Sequence, residues 1–184
     1  MPTATPSRSC FPPTDKMKAP LKTRELVLAA MLSALLIAAK QLMSFLPNCE
    51  PVTLLLILYT LHFPRLTPLI IYVFVGVQVC LYGFHLWVYM YLYVWILLYF
   101  AVRLLRPYGS YLLWIIVAAG YGMLFGLLCS PVYLFVGGWQ MAVSWFGSGI
   151  GFDLLHGVGN AVLTATLFLP LDKLMTRLAA KNNP

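Results

Sequence analysis

Apolar residues come in six runs, at roughly 25–46, 51–63, 67–84, 87–105, 111–136 and 141–171, and each run is closed by residues that interrupt a helix or carry polarity. The breaks fall at Pro47 with Pro51, Pro64 with Arg65, Gly83 with His85, Arg106 with Pro107, and Gly137 with Gly138. A helix needs about 20 residues to cross a hydrocarbon layer about 30 Å thick. The pattern therefore predicts an all-α integral membrane protein, a six-transmembrane-helix bundle over residues 21–178. The second run is short for a full span and is expected to be tilted or partly buried by its neighbours. Residues 1–20, with their Pro, Ser, Thr and basic side chains and no apolar core, read as a disordered cytoplasmic tail, and 179–184 as a second tail. The first run lacks a small-residue cleavage site, so no cleaved signal peptide is expected.

Composition agrees with the periodicity: 61% of the 184 residues are hydrophobic, 9% are charged, and the mean hydropathy of +0.86 excludes a water-soluble globule of this size. A net charge of +7 would raise the question of nucleic acid in a soluble protein, but here the basic residues flank apolar runs. Lys16, Lys18, Lys22 and Arg24 precede the first helix, Arg65 separates the second and third, Arg103 and Arg106 the fourth and fifth, and Lys173, Arg177 and Lys181 follow the sixth. The alternate loops around 47–50, 84–87 and 137–140 have no Lys or Arg, so the positive-inside rule puts both termini in the cytoplasm. Lys40 departs from this pattern, inside the first helix near its outer end. Cys10, Cys49, Cys80 and Cys129 show no CxxC spacing and read as packing residues, not as a disulfide framework or zinc site.

In that topology Lys40, Asn48, Glu50, His85, Gln140, Asp153, His156 and Asn160 all lie toward the outer half. An ionisable residue at the centre of a membrane helix costs about 2.5–3.5 kcal/mol even on insertion scales, so several at one depth imply a shared polar cavity. Two readings stay open for most of them. Glu50 either faces a ligand or neutralises Lys40, and the Asp153, His156, Asn160 stripe, spaced i, i+3, i+7, either lines the cavity or clasps neighbouring helices. Aromatic residues collect at the same depth in "WVYMYLYVW", with Trp139 and Trp145 further along. A lone strand would leave backbone groups unpaired in lipid, so this segment is expected to be a helix or a covered loop. As a helix it presents Trp87, Tyr91 and Trp95 on one face and Tyr89 and Tyr93 on another, which suits either an interfacial belt or, beside a carboxylate, the walls of a site for a flat, polar ring compound, neutral or cationic.

Small residues recur every four positions at Ala30, Ala34 and Ala38 and again at Ala118, Gly122, Gly126 and Ser130, spacing that lets helix backbones approach closely. Chemistry is sparse by comparison. GxxxxGK[ST] and HExxH are absent, and Ser148 and His156 stand roughly 12 Å apart along one helix, too far for a nucleophile and its base. No enzymatic role, metal or cofactor is expected. Gly147, Gly149 and Gly151 are expected to loosen the start of the sixth helix beside the cavity.

Taken together, "KTREL", the Ala30, Ala34, Ala38 stripe, "LPNCEPVTLLLILYT" and "GFDLLHGVGNAVL" resemble the S components of energy-coupling factor transporters, over roughly residues 24–175. The resemblance implies a multi-pass subunit of the bacterial cytoplasmic membrane that binds a vitamin or related micronutrient in an outer cavity. It further implies docking through Ala30, Ala34 and Ala38 onto a membrane T component driven by two ATPase subunits, which would supply the missing ATP chemistry. The expected substrate-binding residues are Asn48, Glu50, His85, Trp87, Tyr89, Tyr91, Trp95, Trp139, Asp153, His156 and Asn160. A stand-alone secondary transporter, using Glu50, Asp153 and His156 to couple ions or protons, is the competing expectation. A membrane scaffold is a third.

Overall fold

The computed structural model describes residues 20–45 and 50–182, so Asn48, the segment 1–19 and the last two residues lie outside the described residues. α1 (Thr23–Leu42) starts where the backbone N–H of Lys22 donates to the Glu25 carboxylate at 2.8 Å, which satisfies one of the donors a helix start leaves free. α2 (Val52–His62), α3 (Thr67–Tyr82) and α4 (Leu86–Leu105) follow, then a 3-10 turn at Arg106–Tyr108, α5 (Tyr111–Met123) and α6 (Phe125–Asn182). The Ser110 hydroxyl caps α5 by accepting from Leu113 N–H at 3.2 Å. Gly83 ends α3 at φ 81, a left-handed backbone that favours glycine. Among the described residues there is no strand.

α2 is the centre of the bundle. Every residue from Val52 to Thr60 is buried, and α1, α3, α4, α5 and α6 all pack against it. A helix apolar on all sides has no face to give to water, and burial on all sides is the consequence. Its 11 residues reach only about 16 Å, so α2 is a core helix too short to cross a bilayer by itself. Among the described residues, three helical stretches are long and apolar enough to cross: Thr23–Leu42, Leu86–Tyr108 and Tyr111–Lys181. Outer surfaces carry Phe100, Leu104, Ile116, Leu154, Leu155 and Val162, all exposed, an apolar exterior suited to hydrocarbon and not to water. The chain has the character of a helical membrane protein.

The last two predicted helices differ from expectation in three ways. The run 111–136 is interrupted at Leu124, so α5 ends and α6 begins inside it. At Gly137 and Gly138, the break expected from the sequence, α6 passes through non-helical torsions, with Gly138 at φ 73, and the chain folds back on itself. Its two arms pair at Tyr133 with Trp145 and at Gly126 with Asp153, and α5 continues the register at Gly122 with Gly157. After the fold-back the helix is continuous through Gly147, Gly149 and Gly151, which therefore do not loosen it, and it extends past the expected end near 171 to Asn182. Close approach explains the stripe Ala118, Gly122, Gly126: a Cβ on Gly122 would meet the Gly157 backbone at 2.8 Å.

Charges gather at one end of the bundle. Arg65 pairs with Glu25 at 3.2 Å, the His62 ring meets Asp172 at 2.7 Å, and Arg24 donates to the Lys181 carbonyl at 2.6 Å, which brings together the start of α1, the α2–α3 turn and the last turns of α6.

Candidate functional site

At the opposite end, α1 finishes, α2 starts, and Gly83 turns the chain from α3 into α4. Lys40, in the last turn of α1, donates to Glu50 Oε1 at 2.7 Å, both side chains being part-buried. The two sequence readings of Glu50 are thus compatible: it neutralises Lys40 and also lines two adjoining cavities.

The first cavity, about 550 Å³, is polar: Lys40, Gln41, Ser44, Glu50, Gln78, Tyr82 and His85 face it, with Trp87 and Tyr91 at one side. The Tyr82 hydroxyl donates to Gln41 Oε1 at 2.9 Å and ties the ends of α3 and α1 across its rim. The second, about 480 Å³, shares Glu50, Trp87 and Tyr91 and is walled by Met90, Phe125, Cys129, Tyr133, Trp145 and Phe152, with Gly126, Asp153 and His156 among its polar boundary. Trp87 and Tyr91 stand between the two, their rings in edge contact at 5.1 Å.

The far wall of the second cavity is built by the fold-back of α6. Because the helix restarts at Phe125, the Gly126 N–H has no carbonyl of a preceding turn, and both Asp153 oxygens accept it at 3.0 and 3.1 Å. One arm thereby caps the other. A Cβ on Gly126 would lie 2.3 Å from Asp153 Oδ2, so the contact requires glycine. Tyr133 and Trp145 stack at 4.1 Å near the tip and close the two arms over the cavity. Tyr93 and Tyr121 brace the wall by donating to the carbonyls of Leu128 and Val94 at 2.6 and 2.7 Å.

Two buried side-chain nitrogens at these cavities have no hydrogen-bond partner among the described residues: Gln78 Nε2 at the polar one and His156 Nε2 at the aromatic one. Leaving such a group unpaired costs about 1–3 kcal/mol, which a guest molecule or water would relieve. The His156 ring packs edge-on to Phe125 at 5.0 Å.

Of the residues singled out from sequence, the structure brings Glu50, His85, Trp87, Tyr91, Asp153 and His156 to the cavities. It does not bring four others. Trp95 lies one turn below Tyr91, fully buried in the core against Phe74 and Tyr121. Tyr89 is turned outward against Phe84, and Trp139 is 73% exposed beside the Gly137–Gly138 bend. Asn160 is a clasp: its amide donates to Thr53 Oγ1 and the Ala118 carbonyl, each at 3.3 Å, below the cavity floor. Gln78, Tyr82, Phe125 and Tyr133 were missed. Gln78 carried a usable signal, being a lone amide inside the apolar run of α3.

Ser148 donates to the Trp145 carbonyl at 3.1 Å within its own helix turn. Ala30, Ala34 and Ala38 are all on the outer surface of α1, flanked by exposed Val27, Met31 and Leu35. No protein-family model, curated protein or solved structure matches the chain.

Proposed function

We propose that this chain is the substrate-binding S component of an energy-coupling factor importer, taking up a water-soluble vitamin or related micronutrient. The observation that carries the reading is the pair of adjoining cavities at one end of a lipid-suited bundle, joined by Glu50, Trp87 and Tyr91, with the unpartnered Gln78 and His156 nitrogens at their walls. A cavity of several hundred Å³ with aromatic walls and a few polar groups is the usual form of a small-molecule site. Among the described residues Arg24, Arg65 and Lys181 sit at the other end, Lys40 at the cavities being the exception, so the positive-inside rule supports cavities that open to the outside and cytoplasmic termini, in a six-crossing topology whose short second helix crosses inside a sheath of its neighbours. The bare alanine face of α1 would receive the T component, and two ATPase subunits would power reorientation of the whole subunit. The membrane would be the bacterial cytoplasmic membrane.

Reconstituted uptake tests this division of labour. The small molecule recovered from the purified protein is loaded outside proteoliposomes, with this chain either alone or accompanied by its T component and ATPases. Uptake is expected only in the complete assembly with ATP. Ion-gradient-driven uptake by the chain alone would contradict the proposal and favour a secondary transporter.

A further inference from the structure

Four acidic side chains lie among the described residues, and three of them have a basic partner: Glu25 with Arg65, Glu50 with Lys40, and Asp172 with His62. Asp153 has none. Its carboxylate accepts only the Gly126 N–H, at the restart of α6, where the helix dipole supplies about half an elementary positive charge. When ionised it holds a charge that no basic side chain among the described residues offsets, in a compartment bounded by Trp87, Tyr91, Phe125, Tyr133, Trp145 and Phe152 and bordered by the Lys40-paired Glu50. A carboxyl group in apolar surroundings stays ionised only with a counter-charge, which a bound cation would supply, and aromatic faces attract cations while rejecting anions. Glu50, which both compartments share, is already neutralised by Lys40, so Asp153, which only the aromatic compartment holds, sets the difference between them.

We infer that the aromatic compartment selects a ligand whose ring system carries a positive charge, the cationic group lying toward Asp153 and the ring among the aromatic walls. The inference rests on the proposed reading of the cavities as a substrate site and narrows it to a chemical class. The polar compartment then takes the ligand's uncharged, hydrogen-bonding portion, offered the unpartnered Gln78 amide.

Two probes of nearly equal shape separate charge from ring stacking: N-methylquinolinium, a permanent cation, and quinoline, uncharged at pH 8. Binding of each to the full chain in detergent is measured by calorimetry for wild type, Asp153→Asn and Trp145→Leu. Asparagine keeps an oxygen that can accept the Gly126 N–H, so the cap survives while the charge is lost. The cation is expected to bind wild type at least about tenfold tighter than quinoline, to lose about that factor in Asp153→Asn, and to weaken in Trp145→Leu. Quinoline should be indifferent to Asp153→Asn. Equal affinity of the two probes for wild type overturns the inference and needs no folded variant, yet leaves the substrate-site reading standing. An unchanged cation affinity in Asp153→Asn overturns it in the same way. Failure of both probes to bind wild type also overturns it, while the reading itself is decided separately by the molecule that co-purifies with the protein.

Discussion

Glu50→Gln is expected to weaken ligand binding by about ten- to a hundredfold, or about 1.4–2.7 kcal/mol, and to lower the stability of the empty protein as well. Both effects come from one place. Glu50 Oε1 sits 2.7 Å from Lys40 Nζ, and the Glu50 side chain borders both cavities. Glutamine is nearly isosteric, so the change removes charge and little else. An ammonium left without its anion is costly in proportion to burial, about 3–5 kcal/mol when fully enclosed, and less here because the side chains keep 15% and 31% of their exposure. Titration calorimetry and thermal unfolding in detergent read the two effects separately. Pairing Glu50→Gln with Lys40→Met should restore the unfolding midpoint without restoring affinity, since the stray charge is gone but the ligand contact is not. A dissociation constant unmoved by Glu50→Gln would remove this residue from the site.

The second large effect is expected far from the cavity. Ala34→Trp should leave ligand affinity within about twofold of wild type and reduce ATP-dependent uptake by the reconstituted assembly at least about tenfold. Ala30, Ala34 and Ala38 lie on the outer surface of α1, on a face where no other part of the chain covers them among the described residues. An indole standing on that face has lipid to occupy in the isolated subunit, so folding and binding are spared. Against a partner helix it blocks the close backbone approach that small residues permit, and forcing a large side chain into a packed contact costs about 1–3 kcal/mol or more. Binding and uptake measured on the same preparation decide the matter. Unchanged uptake would reject α1 as the docking face.

The helical character, the wet and charged ends and the breaks between runs were readable from the sequence because hydrophobic length and the position of Pro, Gly and Arg are local properties. Depth was not. Asp153, His156 and Asn160 do share a stripe, yet the cavity floor passes between His156 and Asn160, where Thr53 of the central α2 meets the stripe. Trp95 shows the same limit: it continues the face of Trp87 and Tyr91 but lies one turn too deep. Phe125 and Tyr133 became walls only because the chain breaks at Leu124 and folds back at Gly137–Gly138, with Gly126 letting Asp153 approach. The glycine pair was visible as a separator, whereas the interruption at Leu124 carried no proline or glycine at the break itself. Gln78 was overlooked because an amide in a transmembrane run satisfies a neighbouring helix as readily as a ligand.

All of this depends on the two cavities holding a small molecule. Native mass spectrometry of the full chain, extracted gently from the membrane in which it is expressed with its natural nutrients present, tests that directly. The expected spectrum contains a one-to-one adduct of a single low-mass compound, depleted in Glu50→Gln and retained in Ala34→Trp. A spectrum of bare protein and lipid adducts alone, or an adduct indifferent to Glu50→Gln, would contradict the account.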